Sequence, residues 1–175
     1  SGIGFYGIEI LENYPESKVT FVDINKSNLD IICRLAKING YEGRITAQQV
    51  NEPESRDLNF SNNSYDLIIS MGVLHHTPHA EAIVKNLTPY LKKGGIFQVM
   101  LYNDYFMKRL SRKKEKQLNA VSFGELTDPA VNGLTNPYSE PYNDSKTMKL
   151  FGEKYGLISS HYPTRDYNTY RFIKK

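Results

Sequence analysis

Two short stretches decide the fold: Ser1-Gly-Ile-Gly-Phe-Tyr-Gly-Ile-Glu-Ile-Leu11 and Lys18-Val-Thr-Phe-Val-Asp23. The first is a glycine-rich turn that runs into a helical pattern, and the second is a β-branched strand that ends in an acid. Glycine turn, helix, strand and acid occur in this order in α/β domains that bind adenosine-containing cofactors. Because glycine lets the backbone approach a ligand closely, and a carboxylate can accept both ribose hydroxyls, we expect Gly2 and Asp23 to bind such a cofactor.

An apolar strand is expected before the glycine turn of such a domain, but no residue precedes Ser1 in this sequence. We therefore expect the chain to be a fragment whose first strand is missing. The first strand of a doubly wound sheet is central and buried on both faces. We accordingly expect the chain alone to fold loosely and to be a poor enzyme.

Hydrophobic periodicity predicts alternating helices and strands in the first two thirds of the chain. Helices are predicted at 3–13, 26–39 and 79–91, and strands at 19–24, 44–50, 65–71 and 96–102. Beyond these, helices are predicted at 104–118 and 145–155, an irregular stretch at 121–144, and an antiparallel pair at 157–162 and 167–173. The predicted fold class is α/β: a doubly wound, Rossmann-like, mostly parallel sheet with a C-terminal antiparallel hairpin.

Length and composition indicate one ordinary globular domain over residues 1–175, with 103–144 as an irregular insertion or lid. The net charge of +3 is too small to argue for nucleic acid or a membrane as partner. Cys33 is the single cysteine, which excludes a disulfide framework and a cysteine-based zinc site. No apolar run is long enough to span a bilayer, and a cytoplasmic location is the expectation.

The middle of the chain carries a more specific pattern, in Asn63-Ser-Tyr-Asp-Leu-Ile-Ile-Ser-Met-Gly-Val-Leu-His-His-Thr-Pro78 and Leu91-Lys-Lys-Gly-Gly-Ile-Phe97. These segments resemble the fourth strand, the histidine segment and the turn before the fifth strand of class I S-adenosylmethionine-dependent methyltransferases. Lys93 stands where that family usually has proline. The resemblance implies S-adenosyl-L-methionine as cofactor and methyl transfer to an unidentified acceptor, a small molecule rather than RNA or protein.

The resemblance also implies the residues of the site. In the family, the glycine loop contacts the methionine part of the cofactor, the acid binds the ribose, and the next residue lies against adenine. The histidine segment follows the strand beside the methyl group, so one of its imidazoles could act on the substrate as a base or orienter. The implied cofactor-binding residues are Ser1, Gly2, Asp23, Ile24, Met71 and one of the loop residues Asn51, Glu52 and Glu54; the implied catalytic residues are His75 and His76.

Several alternatives stay open at this point. The spacing Gly2-x-Gly4-x-x-Gly7 with Asp23 also fits an NAD-dependent oxidoreductase, although packing of the two later glycines explains the same pattern. Asp23 could cap the helix that begins near Lys26. The histidines could stabilise their loop; no metal is expected, because neither carboxylate nor thiol completes a ligand set. A non-catalytic, cofactor-binding remnant is a third function, and the oligomeric state is open.

A basic stripe from Lys108 to Lys116 is expected to be the solvated face of an amphipathic helix. The sharper interpretation is that it steers an acidic substrate or RNA.

Overall fold

The structure is a computed structural model, and it describes residues 2–50, 58–114, 117–127 and 138–175. The chain divides into two compact units, Ser1–Leu58 and Asn59–Lys175. Each unit has its own sheet and its own buried core. That residues 1–175 form a single domain stays a prediction.

The first unit alternates helices and strands as predicted: α1 (Phe5–Asn13), β1 (Val19–Asp23), α2 (Lys26–Ile38) and β2 (Ile45–Gln49). The two strands pair in parallel, from Val19 opposite Ile45 to Asp23 opposite Gln49. Phe21 from β1 is buried with Leu29 and Ile32 from α2. This small core fixes the carboxyl end of β1, where Asp23 lies.

Two glycines of the opening turn allow α1 to pack on this core. Gly4 has φ 81°, a left-handed conformation that L-residues rarely adopt. A Cβ atom on Gly7 would lie 2.2 Å from Cε1 of Phe21. The later glycines of the motif therefore serve helix packing, the alternative that the sequence had left open.

Arg44 anchors the end of α1. Its guanidinium donates hydrogen bonds to the carbonyls of Leu11, Tyr14 and Ser17, at 2.9, 2.7 and 3.0 Å. The last carbonyls of a helix have no partner within the helix. Arg44, the residue before β2, satisfies the Leu11 carbonyl of α1 and the carbonyl of its C-cap Tyr14, and so ties the end of α1 to the sheet.

The described part of the second unit contains four strands and four α-helices. In chain order they are β3 (Tyr65–Met71), α3 (Ala80–Leu87), β4 (Leu91–Tyr102), α4 (Asp104–Lys114), α5 (Ala120–Thr127), α6 (Asp144–Phe151), β5 (Tyr155–His161) and β6 (Tyr167–Lys174). The sheet order is β3-β4-β6-β5. Strands β3 and β4 are parallel, whereas β6 is antiparallel to both β4 and β5. The α/β class and the antiparallel hairpin are confirmed.

Aromatic side chains form the centre of this unit. Phe97, Phe151 and Phe172 are buried together, and the rings of Phe151 and Phe172 stack with centroids 4.0 Å apart. Lys174 fastens the end of β6 by donating to the carbonyls of Leu91 and Thr88, at 2.5 and 2.9 Å. The carboxyl ends of β3 and β4 are therefore held by a sheet that packs on this aromatic core.

Several predicted boundaries are wrong. The helix predicted at 79–91 ends at Leu87, because Pro89 cannot continue the backbone hydrogen bonding, and the strand predicted from residue 96 already begins at Leu91. The helix predicted to reach 118 is described only to Lys114. The stretch predicted to be irregular from residue 121 begins inside α5, and residues 128–137 lie outside the described residues.

Candidate functional site

The glycine turn and Asp23 meet at the carboxyl end of β1. The backbone N–H of Gly2 donates to Oδ2 of Asp23 at 3.0 Å, although 21 positions separate the two residues. The same carboxylate accepts from the N–H of Asn25 at 2.8 Å and from Nδ2 of Asn28 at 3.3 Å. Gly2 and Asp23 are therefore in direct contact, and their binding of a cofactor stays a prediction.

Asp23 is not the N-cap of α2. That position belongs to Asn25, whose side-chain oxygen accepts from the N–H of Ser27 at 2.9 Å. The capping alternative for Asp23 is therefore wrong, because the helix begins two residues later than a cap at 23 would require. Asp23 instead closes the turn that leads from β1 to the cap.

The Asp23 carboxylate is ionised at neutral pH. Burial raises the pKa of this partly buried group, whereas the positively charged chain N-terminus and the hydrogen bonds from Asn25 and Asn28 lower it, and the net pKa lies below its usual range. A negative charge thus lies at the end of β1, within hydrogen-bond distance of the glycine turn.

The surface around this carboxylate has room for a ligand. No described heavy atom comes within 4 Å of the position of a Cβ on Gly2, and Ile24 is 59% exposed. A ligand could therefore approach the Gly2 backbone and lie against Ile24. The other cofactor-binding predictions from this part of the chain, Ser1 and the loop residues Asn51, Glu52 and Glu54, fall outside the described residues.

A second group of predicted residues follows β3 in the other unit. The strand ends at Met71, and the chain turns at Gly72 with φ 73° before the single 3-10 turn Leu74–His76. Met71 is partly buried, and its sulfur lies 3.9 Å from Nε2 of Gln98 on β4. The positive φ at Gly72 lets the histidine turn fold back at the end of the sheet.

His75 is fully buried, at 0% exposure. Its ring lies 4.0 Å from that of Tyr102 and 4.2 Å from that of His76. Neither of its nitrogens meets a described residue with good hydrogen-bond geometry, although the Met100 backbone lies near enough to act as a weak partner. Burial, and next the neighbouring His76, lower the pKa of His75 to about 3, while the Met100 backbone acts in the opposite direction. This imidazole is neutral and inaccessible, which favours a structural role; its catalytic role stays a prediction.

His76 is partly buried and has a defined contact. Its Nδ1 lies 3.2 Å from the backbone oxygen of Tyr138. A carbonyl oxygen can only accept, so Nδ1 carries the hydrogen and, in the neutral ring, Nε2 carries the lone pair. Of the two histidines, His76 is the one whose ring chemistry suits a base.

The turn is covered by residues 138–142, which we call the strap. The N–H of Glu140 donates to the carbonyl of His75, and the N–H of Tyr142 donates to that of Tyr102, each at 2.8 Å. The sequence placed this segment in an irregular insertion or lid and assigned it no contact. Nothing in the sequence Tyr138-Ser-Glu-Pro-Tyr142 indicated that the segment binds the histidine turn.

The similarities to known proteins agree with these observations. A family profile described as "methyltransferase domain" matches residues 1–97, more than half of the chain. The chain belongs to this family.

Named relatives of this methyltransferase domain show what it resembles. It is 28% identical over 140 residues to the ubiquinone/menaquinone biosynthesis C-methyltransferase UbiE of Rhizobium meliloti, and the match covers 78% of this chain but only 52% of that protein. The chain thus spans about half the length of this curated relative.

Solved structures share the fold at low identity. A SAM-dependent methyltransferase of Methanosarcina mazei superposes with a TM-score of 0.72 at 16% identity, covering 99% of this chain and 88% of that one. The [4+2]-cyclase SpnF superposes with a TM-score of 0.71 at 11% identity, covering 99% and 72%. Similarity at this level shows the fold and does not define the reaction.

The described residues show neither a metal centre nor a membrane span. Within the described part of the methyltransferase domain, no cluster of three or more His, Cys, Asp or Glu side chains is arranged to hold a metal ion. Among the same residues, no helix has the length and apolar character needed to cross a bilayer.

Proposed function

We propose that this methyltransferase domain transfers a methyl group from S-adenosylmethionine to a small-molecule acceptor. The observation that carries the proposal is the ionised, partly buried Asp23 carboxylate at the end of β1, bound to the Gly2 N–H at 3.0 Å. Family membership and this carboxylate support the same cofactor. The NAD-dependent alternative gains no support from the relatives named above.

The residues present fit the ribose of such a cofactor, with one adjustment. Each carboxylate oxygen accepts about two hydrogen bonds. Oδ2 of Asp23 already accepts from Gly2 and from Asn28. A ribose hydroxyl that binds this oxygen would therefore replace the Asn28 amide, whose 3.3 Å contact is the longer of the two.

Bound S-adenosylmethionine supplies an activated methyl group, which is transferred by in-line displacement to a nucleophile held about 3 Å away. The protein's part is to hold the two ligands and to exclude water. In this proposal Gly2, Asp23 and Ile24 of the first unit bind the cofactor. The contact of Met71 with the cofactor stays a prediction from the sequence. His76 accepts a proton through Nε2 when the acceptor atom is protonated.

The acceptor is proposed to be a small molecule, as the name of the UbiE relative indicates for that protein. The low net charge of +3 gives no support to RNA as the acceptor. SpnF, which shares the fold, is named a cyclase, so the fold alone does not establish methyl transfer.

Isothermal titration calorimetry on the purified protein tests the proposal. We expect heat on titration with S-adenosylmethionine and with its demethylated product, S-adenosylhomocysteine, and none with NAD. Binding of NAD alone would overturn the proposal. Binding of the sulfur compounds, without demethylation of the cofactor in the presence of candidate acceptors, would support the non-catalytic remnant.

A further inference from the structure

We propose that the strap locks His76 in the tautomer that carries its proton on Nδ1, and that Glu140 is the positioning residue that holds the strap for this purpose. The contact between Nδ1 and the Tyr138 oxygen is 3.2 Å long. Neutral histidine in water prefers the proton on Nε2, so this contact reverses the intrinsic preference. The use of Nε2 as a base rests on the proposed function, whereas the tautomer itself does not.

The Tyr138 carbonyl is held in place by the residues that follow it. Ser139 is fully buried, and its N–H donates to the carbonyl of Ala120 at 2.8 Å. The next N–H, that of Glu140, donates to the carbonyl of His75 at 2.8 Å. The accepting oxygen and the imidazole are thereby attached to the same turn, which keeps the distance between them short.

The Glu140 side chain lies between the strap and α6. Its carboxylate forms an ion pair with Lys146 and lies beside the hydroxyls of Tyr138 and Tyr142, close enough to act on the pKa of both. Burial and then the Glu140 charge raise the pKa of both tyrosines, so both remain protonated donors. Lys146 also lies 4.2 Å from the ring centroid of Tyr142 and donates to the Pro141 carbonyl at 3.1 Å.

Loss of the Glu140 carboxylate would leave Lys146 without its counter-ion and would remove the negative charge beside the two tyrosine hydroxyls. The strap would keep its backbone contacts and the contacts of Lys146 with Pro141 and Tyr142, but the segment that carries the Tyr138 oxygen would be held less firmly, and that oxygen would move away from Nδ1. His76 would return to the Nε2–H form, in which the nitrogen proposed as base carries a proton.

Nitrogen NMR of the imidazole rings tests this directly, because protonated and unprotonated ring nitrogens have well-separated 15N shifts. The chain has four histidines, and a His76→Gln variant assigns the signals of His76. The spectra are recorded without any ligand, well above the usual imidazole pKa. For His76 in the wild type we expect the 15N shifts of the Nδ1–H tautomer. In Glu140→Ala we expect the shifts of the Nε2–H tautomer, or of a mixture of the two tautomers. An Nε2–H pattern in the wild type would overturn the proposal, whatever the enzyme's activity.

Two variants isolate the role of Glu140. Glu140→Gln keeps one acceptor oxygen without the charge and should give an intermediate mixture of the two His76 tautomers. Because this substitution changes the side chain less, it still tests the role of Glu140 if the alanine variant fails to fold. Glu153→Ala removes an exposed carboxylate after α6 and should leave the spectrum unchanged. If both Glu140 variants fold and keep the wild-type tautomer, Glu140 is not the positioning residue.

Kinetics with an identified acceptor would then separate positioning from binding. Glu140→Ala should lower kcat on the order of tenfold to a hundredfold, as small errors in position do, and leave cofactor affinity unchanged. A changed tautomer with unchanged kcat would refute the role of His76 as base while leaving the lock itself established. An unchanged kcat with an unchanged tautomer would refute both.

Discussion

Replacing His75 with phenylalanine should make the protein less sensitive to acid. The substitution keeps an aromatic ring between His76 and Tyr102, at centroid distances of 4.2 and 4.0 Å in the wild type. It removes two buried nitrogens that lack a hydrogen bond of good geometry to any described residue, the Met100 backbone being at most a weak partner. A buried polar atom without a partner costs about 1–3 kcal/mol. At neutral pH the variant should therefore be as stable as the wild type or more stable.

The pH dependence follows from the pKa of His75, which folding lowers from the ordinary 6.5 to about 3, through burial first. Between these values the unfolded chain binds a proton that the folded chain does not, so the free energy of unfolding falls as the pH falls. Above pH 6.5 the neutral His75 costs the folded protein no stability through this effect. As the pH falls from 6.5 towards 3, the free energy of unfolding decreases by at most about 1.4 kcal/mol per pH unit, or about 5 kcal/mol over this whole pH range.

Urea unfolding at a series of pH values between about 8 and 5 measures this difference. The slope of unfolding free energy against pH should be smaller in His75→Phe than in the wild type. His161→Gln, at an exposed position on β5, is the matched control and should keep the wild-type slope. Equal slopes for His75→Phe and wild type, or a variant that is less stable at pH 8, would show that the imidazole has a favourable polar partner in solution.

Two further substitutions test the first unit. Asp23→Ala should weaken cofactor binding by about 1.5–3 kcal/mol, or roughly tenfold to 150-fold, because charge-assisted hydrogen bonds are lost. The control Asp30→Ala removes an exposed carboxylate that is paired with a lysine on α2, and it should leave the cofactor affinity measured by calorimetry unchanged. Equal affinities would exclude a ribose contact. Gly7→Ala should lower the free energy of unfolding by about 1–3 kcal/mol, because its Cβ would lie 2.2 Å from Phe21, and chemical denaturation should show no comparable loss for Gly43→Ala, where nothing lies within 4 Å.

The sequence predicts elements well where their signal is local. The β-branched and aromatic runs at Val19–Asp23 and Tyr65–Met71 are strands with the predicted or nearly the predicted ends. Helix α5 was missed because Gly124 interrupts its short pattern. Its stabilising contact is long-range: Phe123 packs edge-on against Tyr102 and Phe106, with centroids 6.1 and 5.4 Å apart.

The difference between local and long-range signals also applies to the candidate site. Gly2 and Asp23 could be predicted together because a glycine turn and a strand-end acid form a recognisable local order. The contact between His76 and Tyr138 could not, since it joins residues 62 positions apart through a backbone oxygen, which no side-chain pattern encodes. Sequence reasoning could name both histidines but could not tell the buried ring of His75 from the oriented ring of His76.

The position of β6 has a consequence for biosynthesis. This strand is the last one along the sequence, yet it lies inside the sheet, between β4 and β5. On the ribosome, β5 is made first but has no strand to pair with until residues 167–174 have left the exit tunnel. Until then β4 and β5 present unpaired backbone edges, which are sites of aggregation. A chain stalled or cleaved shortly before Tyr167 should therefore depend on chaperones, however intact its upstream elements are.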